Sequence, residues 1–165
     1  MKTRFFLIMG VSGCGKTTVG KALADHLKWN FYDADDFHSP ANIEKMSNGI
    51  PLTDDDRASW LADLHDLIAS SLAHNRPGVL ACSALKEQYR RTLLAGNANV
   101  QLVYLKGSYE MIWPRILARQ AHYMKPDMLK SQFAALEEPV DPRALKVDIA
   151  STVESIIAQV LSASQ

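Results

Sequence analysis

Phe5-Phe6-Leu7-Ile8-Met9-Gly10-Val11-Ser12-Gly13-Cys14-Gly15-Lys16-Thr17 decides the reading of this chain. Its five consecutive apolar residues end in glycine and read as a short strand buried on both faces, as at the centre of a parallel sheet. Gly10 to Thr17 matches GxxxxGK[ST] at every fixed position. Behind it, Val19, Ala22, Leu23 and Leu27 recur at helical spacing. Strand, glycine loop and helix in that order form a phosphate-binding loop: the glycines let successive backbone N–H groups turn inward around an anion, and the helix N-terminus adds its partial positive charge. The expected nucleotide contacts are Gly10, Val11, Ser12, Gly13, Cys14, Gly15, Lys16, Thr17 and Thr18. Lys16 should reach the β and γ phosphates of ATP, and the Thr17 hydroxyl should ligate Mg²⁺. Cys14 occupies a variable position of the loop, so its thiol is incidental.

Outward from the loop, apolar runs alternate with helical patterns. Trp29–Tyr32 reads as a second strand. Ser39-Pro40 reads as an N-cap with proline at the first helical position, opening a helix that carries Ile43 and Met46 and stops near Gly49. Trp60, Leu61, Leu64, Leu67, Ile68 and Leu72 form one face of a long helix over Thr53–His74. Val79–Cys82 follows the Pro77-Gly78 turn as a strand, and a basic helix runs from about Lys86 to Leu94. Val100–Leu105 is another strand, Tyr109–Arg119 a helix with Pro114 as an expected kink, and Leu145–Ile149 a last strand. Ser151-x-x-Glu154 reads as a capping box opening the final helix. This alternation predicts an α/β fold of three layers, a central parallel sheet flanked by helices, with a small lid at about 120–130. No linker or repeat divides the chain, so 1–165 reads as one domain.

Composition narrows the setting. The chain has 165 residues, 47% hydrophobic and 22% charged, with a formal net charge of zero. Nothing global argues for nucleic acid or a membrane surface, so an anionic ligand must be held by local charge. Two cysteines are too few for a disulfide framework and fit a reducing compartment. The protein is expected to be cytoplasmic.

Four further segments carry charge where chemistry could use it. Asp33-Ala34-Asp35-Asp36 follows the second strand, and strand ends beside a phosphate loop are where ligands sit in open parallel sheets. One carboxylate there could take an acceptor's proton and another could hold water on Mg²⁺; the competing reading is a solvated acidic turn. In Thr53-Asp54-Asp55-Asp56-Arg57, the acids suit a helix N-terminus and read as structural. Arg57 gains nothing from that dipole and is a candidate for a substrate carboxylate or phosphate. Lys86 and Arg90, four apart, should share one helix face, with Arg91 less favourably placed. Arg115, Arg119, His122 and Lys125 fall in or near the lid, where cations could neutralise a migrating phosphoryl group.

The segments Phe31–His38, Asn42–Met46, Ile50–Arg57, Ala81–Lys86 with Tyr89-Arg90, Val103–Gly107, Ser131–Phe133, Leu136–Pro139 and Val147–Ile149 together resemble bacterial gluconokinases. The resemblance covers nearly the whole chain. It implies transfer of the ATP γ-phosphoryl to the 6-hydroxyl of D-gluconate, with Mg²⁺, in a protein that is commonly a homodimer and similar in plan to shikimate kinase. By that resemblance Lys16, Asp35 and Arg119 are expected to be catalytic, and Thr17 and Asp33 to hold the metal. Asp35, Arg57, Lys86, Arg90 and His122 are expected at the sugar acid, and Arg115 at the nucleotide. The lid entry departs from the family's usual Arg-Lys-Gly-His-Phe-Met, reading Arg119-Gln120-Ala121-His122-Tyr123-Met124. Kinases for another small acid, such as shikimate or a different aldonate, are the alternative.

Overall fold

Five parallel strands, in the order β2-β3-β1-β4-β5, form the frame of the computed structural model, which describes residues 2–118 and 126–165. In chain order the strands are β1 (Phe5–Met9), β2 (Asn30–Asp33), β3 (Gly78–Ala81), β4 (Val100–Lys106) and β5 (Leu145–Asp148). The helices are α1 (Lys16–Leu27), α2 (Pro40–Ser47), α3 (Asp54–Ala73), α4 (Glu87–Leu94), α5 (Tyr109–Ala118), α6 (Pro126–Ala135) and α7 (Val153–Ala163). A 3₁₀ turn, Ala34–Phe37, follows β2 directly.

All five residues of β1 are buried. The strand alternates between two cores, as a period of two demands. Phe6 and Ile8 join Val11, Val19, Leu23, Ile112, Ile116 and Val160 on one face. Phe5, Leu7 and Met9 join Trp60, Leu64, Ile68, Leu80 and Tyr89 on the other. The register pairs Leu7 with Leu80 of β3 and Leu102 of β4. Because the chain leaves β1 in one direction for β2 and later returns on its other side as β4, the carboxyl end of β1 is a switch point, where such sheets open a crevice.

Several expected boundaries hold. Thr53 caps α3 in a full capping box with Asp56, and Ser39 accepts from the Asn42 N–H with Pro40 in the first turn of α2. The final helix is a correction: its cap is Thr152, which accepts from the Ser155 N–H, in place of the expected Ser151–Glu154 box. Ile43 and Met46 do not pack inward; they are 50% and 42% exposed. The short α2 is held instead by polar ties, Asn42 Nδ2 donating to the Asp56 carbonyl at 2.8 Å and Lys45 to the Asp56 carboxylate at 2.9 Å. Pro114 lies inside α5, which continues on both sides of it. No helix among the described residues is long and apolar enough to cross a membrane.

Candidate active site

The phosphate loop turns on two left-handed glycines, Gly13 at φ +80° and Gly15 at φ +99°, the second being the N-cap of α1. A β-carbon at Gly13 would meet Ile116 Cγ1 at 2.7 Å, so this glycine lets α5 close against the loop. Among the described residues, a β-carbon at Gly15 would meet nothing within 4 Å. Lys16 donates from Nζ to the carbonyls of Gly10 at 3.0 Å and Val11 at 3.1 Å, which lays its ammonium across the loop. Thr17 and Thr18 start α1 on its exposed side. Cys14 is buried among apolar side chains, and burial raises its thiol above the ordinary value despite the nearby Lys16.

Beside the loop, Thr17 Oγ1 lies 3.5 Å from Asp33 Oδ2. The other Asp33 oxygen accepts from the Asp35 N–H at 3.0 Å and caps the 3₁₀ turn. Trp60 Nε1 donates to the Ala34 carbonyl at 2.7 Å, pinning the turn to α3. Asp35 thereby stands in the cleft with its side chain 84% exposed. Its carboxyl is nonetheless raised above the usual carboxylate range, first by crowding from the surrounding protein and then by the Asp33 charge.

The hydroxyl of Thr17 and the carboxylate of Asp33 are the oxygen donors Mg²⁺ takes, and Mg²⁺ commonly completes its shell with phosphate oxygens and water. No group of three or more His, Cys, Asp or Glu residues able to hold a metal lies among the described residues. Thr17 and Asp33 are of the chemistry that fits Mg²⁺.

Across the cleft, α3 and α4 bring cations together around a residue that sequence reasoning assigned to the helix dipole. Asp54 accepts from Tyr89 Oη at 2.5 Å, Gln88 Nε2 at 3.2 Å and Lys86 Nζ at 3.5 Å. Arg57 Nη1 donates to Tyr89 Oη at 3.2 Å and lies 3.9 Å from Asp54. These bonds hold the Asp54 carboxyl below its usual range, the Tyr89 hydrogen bond foremost. Tyr89 and Asp54 in turn raise Lys86. Arg57 and Lys86 thus share one site although 29 residues separate them in sequence.

Arg90 departs from expectation. Lys86 is the N-cap of α4, whereas Arg90 points inward and is 2% exposed, so the two do not share an open face. Arg90 Nη1 donates to the carbonyls of Ala84 at 2.7 Å and Leu85 at 3.1 Å. Its Nη2 donates to the Glu137 carbonyl at 2.6 Å and to Glu87 at 3.0 Å. Ala84 sits at φ +45°, a strained conformation for a residue with a β-carbon. Arg90 is the strut of that strained turn, which leads into Lys86.

Arg115 is likewise occupied, donating from Nη2 to the Ile149 carbonyl at 2.9 Å and so tying α5 to the loop after β5. Arg91 is exposed and pairs with Glu87. Arg119, His122, Lys125 and the Gln120-Ala121 departure lie outside the described residues. Two site residues escaped the sequence reading except as letters of a motif. Gln132 of α6 accepts from the Ser12 N–H at 2.7 Å and donates to Ser12 Oγ at 3.0 Å. Glu137 Oε1 accepts from the Glu87 N–H at 2.8 Å, capping α4 from across the chain. Only tertiary proximity reveals either role.

The sequence and the fold have known counterparts. The shikimate kinase family model matches residues 12–161. A probable gluconokinase of Mus musculus is 44% identical, over 95% of this chain and 95% of its own length. The thermosensitive gluconokinase of Escherichia coli (strain K12) is 43% identical, over 93% of this chain and 83% of its own. The crystal structure of a gluconokinase from Sinorhizobium meliloti 1021 superposes with a TM-score of 0.88 at 38% identity, covering 99% of this chain and 93% of that one. A shikimate kinase from Acinetobacter baumannii, 19% identical with a TM-score of 0.57, shares the fold alone. The resemblance is wider than the bacterial proteins expected from sequence, since a mouse protein matches as well as the bacterial ones. On these likenesses the chain belongs to the gluconokinases, within the P-loop kinases that the shikimate kinase model describes.

Proposed function

We propose that this protein transfers the γ-phosphoryl group of Mg-ATP to the 6-hydroxyl of D-gluconate, giving 6-phospho-D-gluconate and ADP. The observation that carries the reading is the meeting of the phosphate loop with Asp33 and Asp35 at the carboxyl ends of the strands, with Arg57 and Lys86 gathered on the neighbouring α3 and α4. Relatives named gluconokinase over most of the chain support the choice of acceptor.

The loop N–H groups hold the β and γ phosphates, and Lys16 exchanges its two carbonyl partners for phosphate oxygens. Thr17 and Asp33 would hold the metal, which when bound would neutralise charge on the phosphates. Asp35 orients the primary hydroxyl for in-line attack. As the O6–P bond forms, the bond from phosphorus to the β–γ bridging oxygen breaks. The hydroxyl proton passes late to Asp35 and then to solvent, because a primary alcohol is too weak an acid to ionise first. Arg57 and Lys86 face the sugar acid's carboxylate. Arg119 as a catalytic residue and His122 as a contact of the sugar acid complete the proposed set. Arg90 serves this site by holding the turn that presents Lys86, and Arg115 by fixing the loop after β5. One domain, a cytoplasmic location and a homodimer complete the proposal; light scattering coupled to size exclusion tests the last.

The direct experiment is ADP release from ATP across a panel of acids that includes D-gluconate, other aldonates and shikimate. Gluconate-dependent ADP formation with phosphorus appearing on O6 is expected. Turnover with shikimate and none with gluconate would refute the assignment.

A further inference from the structure

His38 lies next to the proposed acceptor site, outside every role so far assigned. In a 3₁₀ turn residues three apart eclipse one another, so Asp35 and the residue capping the turn's end, His38, fall on one side. The imidazole lies flat on the Trp60 indole, ring centroids 4.3 Å apart and planes 14° apart. The same Trp60 anchors the turn through its hydrogen bond to the Ala34 carbonyl. The His38 side chain is 5% exposed, and its Nε2 stands 3.8 Å from Asp35 Oδ1. Its Nδ1 is sealed from solvent with no hydrogen-bond partner among the described residues.

That orphaned nitrogen is the informative feature. Burying a ring nitrogen without a partner is unfavourable. A purely packing role would be better met by phenylalanine, which stacks on tryptophan as well and buries no polar atom. What phenylalanine lacks is Nε2. With no acceptor at Nδ1, the proton belongs on Nε2, the atom that faces the Asp35 carboxylate. Burial also lowers the His38 pKa against the opposing pull of Asp35, which favours the neutral, singly protonated ring.

We propose that His38 is a positioning residue for Asp35: braced on Trp60, it presents Nε2–H to the carboxylate and selects the rotamer in which Asp35 receives the acceptor hydroxyl. The present 3.8 Å is longer than a hydrogen bond. Asp35 is free to turn, and catalytic hydrogen bonds commonly tighten only when substrate fills the site. The inference rests on the reading of Asp35 given above.

The test is steady-state kinetics with Mg-ATP and gluconate on His38→Phe, His38→Gln, Asp35→Asn and the double variant His38→Phe/Asp35→Asn, each with its thermal midpoint. His38→Phe keeps the stack and removes the donor. Its kcat is expected to fall on the order of tenfold to a hundredfold, as for a reacting group displaced by about an ångström, with the ATP KM and the melting midpoint near wild type. His38→Gln restores a donor and should recover part of the loss. Because His38 acts through Asp35, the double variant should be no slower than Asp35→Asn alone. A wild-type kcat in His38→Phe, with Asp35→Asn inactive, overturns the proposal and leaves the Asp35 assignment standing. A wild-type kcat in Asp35→Asn overturns both. If His38→Phe does not fold, His38→Gln decides: turnover below wild type but above Asp35→Asn, at an unchanged melting midpoint, supports the proposal, and wild-type turnover refutes it.

Discussion

Replacing Gly13 and Gly15 with alanine, one at a time, should separate the packing of the phosphate loop from its binding of phosphate. At Gly13 two costs add. Alanine in the left-handed region, here φ +80°, costs about 1–2 kcal/mol. The new β-carbon would sit 2.7 Å from Ile116 Cγ1 and 3.1 Å from Ile112 Cγ2. Both isoleucines are buried in the core under the loop, so they can yield only by repacking, which costs about 1–3 kcal/mol. The sum is about 2–5 kcal/mol, a large part of the stability of an ordinary domain. For a chain of 165 residues it corresponds to a fall in Tm of roughly 4–20 °C. Alanine at Gly15 bears only the backbone cost, about 1–2 kcal/mol, since no atom of the described residues lies within 4 Å of its β-carbon. It would instead place a methyl group where the backbone must approach the anion. Calorimetry should therefore rank Gly13→Ala below Gly15→Ala in Tm. Nucleotide titration should show Gly15→Ala weaker for ATP by about tenfold or more, ~1.4 kcal/mol. Equal Tm values for the two variants would refute the packing argument, and unchanged ATP affinity in Gly15→Ala would refute the cradle.

Three further outcomes follow from the same geometry. Arg90→Ala should cost about 3–5 kcal/mol in urea unfolding, because the carbonyls of Ala84, Leu85 and Glu137 lose their buried charged donor and the strained Ala84 turn loses its support. Unchanged stability with a raised gluconate KM would return Arg90 to the acceptor site. Asp56 is held down to about 2 by Lys45 and by the Thr53 N–H. A depressed carboxylate stabilises the fold above its unfolded value near 3.8 and loses that contribution as pH falls toward about 2. Unfolding midpoints of wild type and Asp56→Asn should therefore converge between pH 4 and pH 2 (roughly the window set by these two values), and parallel curves would contradict the pairing. Cys82 is pushed up to about 12 by burial and Cys14 is raised likewise. Neither thiol should react with iodoacetamide at about pH 8 until the protein is unfolded, so rapid native labelling of Cys14 would show that the loop opens.

Local pattern made much of the fold legible. The Phe5–Met9 run, the GxxxxGK[ST] loop, the Ser39-Pro40 start and the Thr53 cap all act over a few residues, and each lies where its pattern places it. Errors arose where two local signals competed or where distance mattered. Ser151 and Thr152 both could cap α7, and Thr152 does so. Lys86 and Arg90 have helical spacing, but the helix begins only after Lys86, so the pair loses its common face. Asp54 carries the charge a helix N-terminus favours, which hid its second role as the acceptor for Tyr89, Gln88 and Lys86. Gln132 reaches Ser12 across 120 residues of sequence, and no period or cap could have announced that contact.

The two halves of the site rest on different sides of the sheet. Val11 and Cys14 of the loop pack into the core with Val19, Ile112 and Ile116. Ala34, Trp60, Ala84 and Tyr89, which set the acceptor side, pack into the other. Interior packing resists deformation, so each half is rigid by itself, and the reacting groups meet on the seam at the end of β1. Leu136 packs against both cores, but beside the loop the contacts across the seam are polar and directional: Gly10 N–H to the Ser83 carbonyl at 3.2 Å, and Thr17 Oγ1 to Asp33 at 3.5 Å. Such contacts can be exchanged for bonds to a ligand without disturbing either core. The division lets the loop remain a general phosphate holder while residues on α3 and α4 choose the acceptor. It also explains why the glycine loop alone identified the nucleotide and said nothing about what receives the phosphoryl group.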